Sequence, residues 1–225
     1  MKLPAIFAAS AIVTVGAAAT IHHASSAETS APAADVAAAE ALTEDAGHNS
    51  EAGLAAAAEH DAPPLPAPVP AEFAEWIIKA SGECEGVTPG QIAAQLFAES
   101  TFRVDAVSYA NAQGPAQFTP ETWEAWGTDA DGDGVKDPFS IPDSVTAQAK
   151  YMCHNLESVE QAIHDGKAEG DAVDLALASY NAGFGAILRF GGMPSGGDYT
   201  TQTQPYVEKI RDLEQAFNAY FEARV

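Results

Sequence analysis

The hydrophobic pattern changes near residue 72 and divides the chain into two parts. After Phe7 no aromatic residue occurs until Phe73, and from there on apolar residues recur at helical spacing. Recurrence at i, i+3 and i+4 is typical of amphipathic helices, and Phe73, Trp76 and Ile77 share one face of a first helix. No stretch of this part shows the sustained alternation of a strand. The pattern therefore predicts an all-α, multi-helix domain over residues 72–225.

Six further helices are predicted from prolines, caps and apolar spacing. Thr88 suits an N-cap, Pro89 suits the first helical position, and Gln91 completes a capping box. Gly183 suits the left-handed residue that follows a helix. The predicted ranges are 89–102, 120–126, 144–163, 172–182, 184–190 and 205–223. About 150 residues in short helices suffice for one buried core.

The first 71 residues have a different composition. Residues 1–27 begin with Met1-Lys2, continue as an apolar run of small residues and end at Ser25-Ser26-Ala27, which predicts a cleaved secretory signal peptide rather than an uncleaved anchor. Residues 28–71 are rich in Ala, Glu, Asp, Ser and Pro, and such a segment cannot bury enough apolar surface to fold. We predict a disordered linker there, which either projects the domain or is dispensable.

The charge of the chain excludes some classes of partner. The formal net charge is -22, from 10 basic and 32 acidic residues. Nucleic acids and anionic membrane surfaces are bound through Lys and Arg, so we expect neither as a partner. With the signal peptide removed, no membrane association is predicted.

Glu99 occupies an unusual position in the second predicted helix. Ile92, Leu96 and Glu99 follow at i, i+4 and i+7, which places the carboxyl on the apolar stripe near the C-terminal end of the helix. Desolvation and the helix dipole both disfavour the carboxylate there, so both are expected to raise its pKa. A carboxylic acid that stays protonated near neutral pH suits general acid catalysis of glycoside cleavage, although most helical glutamates are solvated or paired.

Two short segments follow Glu99 and complete an ordered set of motifs. Residues 108–117 read S-Y-A-N-A-Q-G-P-A-Q, and residues 178–183 read A-S-Y-N-A-G. With the pair E-S at 99–100, this order resembles the soluble lytic transglycosylase family, which shares a lysozyme-like fold with goose-type lysozymes. The residues that match are Glu99 and Ser100; Ser108, Ala112, Gly114 and Gln117; and Tyr180, Asn181, Ala182 and Gly183. Asn111 replaces the usual Gly, and Asn tolerates the left-handed conformation best among other residues. Pro115 replaces the usual Leu.

The resemblance implies a reaction with one carboxyl group and no catalytic cofactor. Glu99 would protonate the leaving GlcNAc oxygen, and the N-acetyl group of the substrate would support the oxocarbenium ion. Glu99 would then take the proton of the MurNAc C6 hydroxyl, which attacks C1 and closes a 1,6-anhydro ring. The implied enzyme acts on peptidoglycan outside the cytoplasm, either secreted, in the cell wall or in the periplasm. We expect a monomer.

The resemblance also assigns roles around Glu99. Ser108 and Gln117 would hydrogen-bond sugar groups, Tyr180 would orient Glu99 or its proton, and Asn181 would shape the same wall. Candidates for stacking on sugar rings are Phe118, Tyr109, Phe184 and Tyr206, although aromatic residues at helical spacing more often belong to the core. Ser108 also suits a cap, and Asn181 also suits a turn.

Two other function classes stay open from the sequence. A hydrolytic muramidase of the goose-lysozyme kind would need a second carboxylate to activate water. A cell-wall-binding module without catalysis would leave the position of Glu99 unexplained.

Cys84 and Cys153 are the two cysteines of the chain. In an exported protein two cysteines usually form one disulfide, so we predict a bridge between them rather than two buried thiols.

An acidic segment between the motifs resembles the start of an EF-hand loop. Asp129, Asp131 and Asp133 occupy positions 1, 3 and 5, Gly follows at 6, and the carbonyl of Val135 falls at 7. Position 12 is Ser140 instead of Glu. The segment predicts a structural Ca²⁺ held by Asp129, Asp131, Asp133, Val135 and Asp137, with Asp143 as a candidate for the missing ligand. The alternative is a solvated acidic turn, with Asp143 capping the next helix.

Overall fold

A computed structural model describes residues 65–224 of the chain. These residues form seven α-helices and one short π-helix and contain no strand. The helices are α1 (Ala71–Ala80), α2 (Pro89–Ser100), α3 (Pro120–Trp126), α4 (Ile141–His164), α5 (Ala172–Ala182), α6 (Phe184–Phe190) and α7 (Gln204–Glu222). The π-helix spans Tyr199–Thr203 and leads directly into α7. The predicted all-α class is therefore confirmed. The predicted signal peptide, and the linker up to residue 64, lie outside the described residues.

The core lies between α2, α4, α5 and α7. α2 packs along α7, while α4 packs against α1 and α5. Ile92 and Leu96 on α2, Met152 on α4 and Phe217 on α7 are fully buried between these helices. Burying side chains of this size supplies the main driving force of folding. α2, which carries Glu99, is thus held on both sides by long helices.

The second helix ends two residues earlier than predicted. Thr101 and Phe102 both have positive φ values, 56° and 62°, so α2 ends at Ser100. Two left-handed residues reverse the chain and bring the Phe102 ring to 5.3 Å from the ring of Phe73. The burial of Phe102 in the aromatic core offsets this backbone strain.

The fourth helix begins three residues earlier than predicted, at Ile141. Pro142 lies in its first turn, where a proline costs no hydrogen bond. Asp143 is therefore inside the helix rather than at its N-cap, and the proposed capping role of Asp143 is wrong.

The predicted N-cap of α2 is confirmed only in part. The Thr88 hydroxyl accepts a hydrogen bond from the Gln91 backbone N–H at 3.1 Å. The side chain of Gln91 is buried and has no hydrogen-bond partner within the described part of the chain, so the reciprocal half of the capping box is missing.

The predicted disulfide is present. Cys84, which follows α1, is bonded to Cys153 on α4 across 69 residues of sequence, and their Cα atoms are 6.0 Å apart. The bridge ties the chain that precedes α2 to the long central helix. Among the helices of residues 65–224, none is both long enough and apolar enough to cross a membrane.

Candidate functional site

Glu99 lies in a cleft of about 500 Å³ between the end of α2 and the start of α7. Ser108 and Gln117 line the cleft on one side, and Asn181 and Tyr206 line it on the other. Residues that are 107 positions apart in sequence thus face one another. Four of the five predicted substrate-binding residues, together with Glu99, are brought to this one cleft.

Glu99 is the single carboxylate among the described residues that line the cleft. Its side chain is partly buried, one turn beyond the fully buried Leu96. The apolar stripe of α2 therefore runs into the cleft and ends there with a carboxyl group. Asp105, the next acidic residue, is exposed to solvent outside the lining of the cleft.

The hydroxyl of Tyr206 donates a hydrogen bond to Glu99 Oε1 at 2.8 Å. Tyr206 lies in the first turn of α7 and is buried. Burial and, next in size, the charge of Glu99 raise the pKa of Tyr206 well above its usual 10.0. The phenol therefore keeps its proton and stays a donor to Glu99 over the whole physiological range.

The side-chain amides of two buried glutamines are linked to the Tyr206 hydroxyl by hydrogen bonds. Gln95, one turn before Glu99 on α2, donates from Nε2 to the Tyr206 hydroxyl at 3.4 Å. Gln148 on α4 donates in turn from Nε2 to Gln95 Oε1 at 3.2 Å and to the Ile92 carbonyl at 3.3 Å. Gln95 and Gln148 are 0% exposed. Helices α4, α2 and α7 thus supply three successive donors, Gln148, Gln95 and Tyr206, and the last of these donates to Glu99.

Gln95 and Gln148 were not predicted to take part in the site. Each is a polar residue in an apolar helical stripe, and such a residue needs a hydrogen-bond partner in the core. That signal was present in the sequence, but nothing in the sequence indicated that the partner is the hydroxyl beside Glu99.

Tyr180 lies apart from the cleft lining. Its ring is buried against Tyr151 and Phe118, and its hydroxyl donates to the Ala116 carbonyl at 3.0 Å. Burial, with a further contribution from the charge of Glu99, raises the pKa of Tyr180 well above its usual 10.0. The hydroxyl of Tyr206, which the sequence suggested only for stacking, is one that donates to Glu99 in this structure. Tyr180 instead fixes the segment that carries Gln117.

The segment 106–118 folds into a tight wall of turns. The Ser108 hydroxyl accepts from the Ala112 N–H at 3.0 Å, and Asn111 has a φ of 61°, so the left-handed turn predicted for Asn111 is confirmed. Gln117 also has a positive φ, and its Nε2 donates to the carbonyls of Gly114 and Ala106. The side-chain Nε2 group of Gln117 therefore holds the turns of the wall together, while the side-chain carbonyl oxygen takes no part in these bonds.

Gly114 allows this wall to contact the acidic segment. A Cβ atom at this position would lie 1.7 Å from the carbonyl oxygen of Pro138, and the φ of 72° also favours glycine. No other residue type fits there without moving the backbone, which accounts for glycine at this point of the motif.

Asn181 is buried on the opposite side of the cleft. Its Oδ1 accepts from the Thr203 hydroxyl at 2.8 Å, at the end of the π-helix. This bond joins the end of α5 to the start of α7, so Asn181 sets the distance between two walls of the cleft. The turn expected at Asn181 begins at Gly183, which has a φ of 82°.

The acidic segment folds as a loop whose carboxylates accept from their own backbone. Asp129 accepts from the N–H groups of Gly132, Asp133 and Gly134 at 2.8 to 3.1 Å. Asp133 and Asp137 accept in the same way from the residues two positions later. Such bonds fix the loop but do not exclude a cation, since each carboxylate oxygen has more than one lone pair.

Asp143 joins this loop to α4. It is 1% exposed, and its two oxygens accept from the Ala130 N–H at 2.7 Å and the Asp137 N–H at 3.0 Å. Carboxylate oxygens of Asp129, Asp131 and Asp143 lie within 4.8 Å of one another. The group that fits a hard cation thus includes Asp143 from α4, whereas Asp133 and Asp137 lie outside it.

A family model matches a large part of the chain. The model of the family described as Transglycosylase SLT domain matches residues 76–199, more than half of the chain. The matched range contains Glu99, the segment 108–117 and Tyr180, but it ends before Tyr206.

Among solved structures, the chain is similar to an inactive mutant of the lytic transglycosylase Slt from Pseudomonas aeruginosa. The sequences are 19% identical, the match covers 67% of this chain and 24% of that one, and the TM-score is 0.41. The chain thus spans about a quarter of the length of that protein.

Proposed function

The chain belongs to the transglycosylase SLT domain family, and from this we propose that it is a peptidoglycan lytic transglycosylase. The proposed reaction cleaves the MurNAc-β-1,4-GlcNAc bond without water and leaves a 1,6-anhydro-MurNAc end. The observation that carries the proposal is that Glu99 is the single carboxylate lining the described cleft. A hydrolase of the two-carboxylate kind would use a second one across the substrate.

In the proposed mechanism one carboxyl group performs both proton transfers. Glu99 as an acid protonates the oxygen that leaves with GlcNAc, and the glycosidic bond breaks as the N-acetyl carbonyl of MurNAc stabilises the positive charge at C1. Glu99 as a carboxylate then takes the proton of the C6 hydroxyl, whose oxygen bonds to C1. The enzyme returns to its starting protonation state, and no water enters the products.

Tyr206 acts as a positioning residue in this mechanism. Its hydroxyl donates to Glu99 Oε1 and so favours one orientation of the carboxyl group. The bond is strongest while Glu99 is charged, that is, between the two proton transfers. Gln95 and Gln148 hold the hydroxyl in place from the buried side.

Ser108 and Gln117 are proposed to hold the sugar. Both line the cleft, and each keeps hydrogen-bonding capacity that the fold does not use: the Ser108 proton and the Gln117 carbonyl oxygen. Hydroxyl and N-acetyl groups of the glycan match these donors and acceptors.

We also propose that the loop 129–137 binds a structural Ca²⁺ through Asp129, Asp131 and Asp143. Three carboxylate oxygens this close repel each other, and a hard oxygen-seeking cation relieves that repulsion. The ion would stiffen the loop that contacts the wall at Gly114 and would take no part in the chemistry.

Export of the protein is proposed from its first 27 residues and is supported by the disulfide, since such bridges form in oxidising compartments. Mass analysis of the purified protein should find a terminus near Glu28. A mature protein that retains residues 1–27 would contradict export.

Product analysis tests the reaction class. Purified peptidoglycan glycan strands are digested, and the released muropeptides are analysed by mass spectrometry. We expect ends in 1,6-anhydro-MurNAc, lighter by one water than muramidase products. Reducing MurNAc ends would move the protein to the hydrolases, and strand binding with no cleavage would make it a wall-binding module.

A further inference from the structure

The charge of the cleft is opposite to that of the chain. Acidic residues outnumber basic ones by 32 to 10 in the whole sequence. Among the residues that line the cleft the order is reversed, with Arg103 and Lys209 against Glu99 alone. When Glu99 is protonated, as the first step of the proposed reaction requires, the cleft carries two positive charges and no negative one.

Both cations are held close to the groups that act on the substrate. Arg103 follows Glu99 by four residues, and its backbone N–H donates to the Ser100 hydroxyl at 3.1 Å, just after the chain reversal at residues 101–102. Lys209 lies one turn after Tyr206 on α7. Arg103 therefore lies in the turn that follows α2, and Lys209 lies on α7, so the two cations come from the two segments next to Glu99.

Both cations are also available to a ligand. Each is exposed to solvent. The ion pairs described between residues 65 and 224 are made by His164, Lys167 and Arg211. The Lys209 Nζ lies 5.6 Å from the centre of the Phe97 ring, a weak contact that leaves its charge open to the cleft.

We propose that Arg103 and Lys209 bind a carboxylate on the muramyl side chain of the substrate. This inference rests on the proposed function, and it adds an anionic group to the sugars as a recognised part of the substrate. GlcNAc and the sugar ring of MurNAc are uncharged, whereas the peptide linked to the MurNAc lactyl group carries free carboxylates. Guanidinium and ammonium groups bind carboxylates by charge-assisted hydrogen bonds.

The proposal also explains how so acidic a protein can use an acidic polymer as its substrate. Long-range repulsion from a net charge of -22 is screened beyond roughly 8 Å at physiological ionic strength. Inside the cleft the nearest charges are Arg103 and Lys209, so a strand is repelled by the surface and attracted only at the site. Such a local field favours binding in the productive register.

The test uses the double variant Arg103→Gln/Lys209→Gln and two substrates. One substrate is glycan strands with intact peptides, and the other is the same strands after carbodiimide coupling to ammonia, which turns carboxylates into amides of equal shape. The matched control is Lys79→Gln/Lys150→Gln, which removes two charges on α1 and α4, outside the cleft.

On intact strands we expect the double variant to lose about tenfold in kcat/KM, through KM, since two exposed charge-assisted contacts together are worth about that much. On amidated strands the double variant and the wild type should agree within about twofold. The control should match the wild type on both substrates. Arg103→Lys/Lys209→Arg, which keeps both charges, should restore most of the loss.

Strands freed of peptide by an amidase distinguish two sources of the carboxylate. Amidase treatment removes the peptide and frees the lactyl carboxylate, which is bound as an amide in intact strands. A loss in the double variant on these strands as well shows that a carboxylate at the lactyl position is enough for the contact, whereas a loss confined to intact strands assigns the contact to the peptide.

Two results would overturn the inference without touching the proposed function. One is an equal loss on intact and amidated strands, and the other is no loss on any strand, in each case with 1,6-anhydro products from the wild type. A wild type that releases no 1,6-anhydro product at all would instead overturn the proposed function. The melting temperature of each variant separates loss of binding from loss of fold.

Discussion

The carboxyl group of Glu99 in the cleft and those of the loop 129–137 are positioned differently, the first by residues distant in sequence and the others by residues nearby. In the loop, neighbours in sequence supply almost every contact: Asp129 accepts from residues three to five positions later. In the cleft, the hydroxyl that donates to Glu99 belongs to Tyr206, 107 residues away, and Gln148 on a third helix supports that hydroxyl through Gln95. A local arrangement can form wherever its motif occurs, whereas the cleft exists only when α2, α4 and α7 are packed together.

Buried polar groups also have different roles in the loop and beside the cleft. Asp143 is buried, and both of its carboxylate oxygens accept hydrogen bonds from backbone N–H groups, so this residue stabilises the fold. Gln148 and Gln95 are also buried. Gln148 donates to Gln95, which donates to the Tyr206 hydroxyl in the cleft, so both residues support the orientation of Glu99. Substitutions in the two regions should therefore change different measurements.

The largest effect is expected for Glu99→Gln. The amide keeps the size of the carboxyl group but cannot transfer the proton, so turnover of glycan strands should fall by at least about a hundredfold. The melting temperature should stay within a few degrees of the wild type, because a neutral amide costs less to bury than a charge. The exposed Glu121→Gln on α3 serves as the control, and near-normal turnover of Glu99→Gln would remove Glu99 from the mechanism.

The second largest effect is expected for Asp143→Ala, and on stability rather than on turnover. The substitution leaves the N–H groups of Ala130 and Asp137 without their acceptor, which should cost about 2 kcal/mol of unfolding free energy. Denaturant unfolding measures this, with the exposed Asp212→Ala on α7 as the control. Equal stability of Asp143→Ala and the wild type would show that the loop is not fixed through α4.

Tyr206→Phe is expected to lower turnover by about tenfold, the worth of one hydrogen bond to a charged group. Tyr180→Phe should lower it less, because that hydroxyl donates to the Ala116 carbonyl and not to Glu99. Steady-state kinetics on glycan strands compares the two. The reverse ranking would return the orienting role to Tyr180, as first expected from the sequence.

Calcium should stabilise the wild type by about 1.4 kcal/mol at a tenfold excess over its Kd. The melting temperature is measured with EDTA and with increasing CaCl₂. The shift should vanish in Asp129→Ala, and MgCl₂ should produce a smaller one, since Mg²⁺ demands octahedral geometry. Identical melting curves with EDTA and with Ca²⁺ would favour the solvated acidic turn.

The smallest effect is expected in alkaline solution. Burial raises the pKa of Tyr206 and Tyr180 in the folded state above the usual 10.0, so the folded protein binds more protons than the unfolded chain above that pH. Stability should therefore be unaffected by these groups below pH 10 and should fall as the pH rises beyond it. Tyr206→Phe should flatten this decline in a series of unfolding curves, and an unchanged slope would contradict it.

Much of the fold followed from local chemistry. The start of α2 at Pro89 and the ranges of α3, α5 and α6 were predicted as the structure has them, because caps, prolines and glycines act within a few residues. The left-handed turn at Asn111 and the pairing of Cys84 with Cys153 were also predicted. The motifs around Glu99 identified the family, since their order along the chain is itself a property of the sequence.

Only the tertiary structure decided the rest, and the reason is physical in each case. The packing of Phe102 against Phe73 ended α2 at Ser100, against local helical propensity. The burial of Asp143 followed from the contact of α4 with the loop. The contact of the Tyr206 hydroxyl with Glu99 depended on how α7 lies along α2. Sequence determines which groups are available, but distances between groups a hundred residues apart are set by the packing of the whole core.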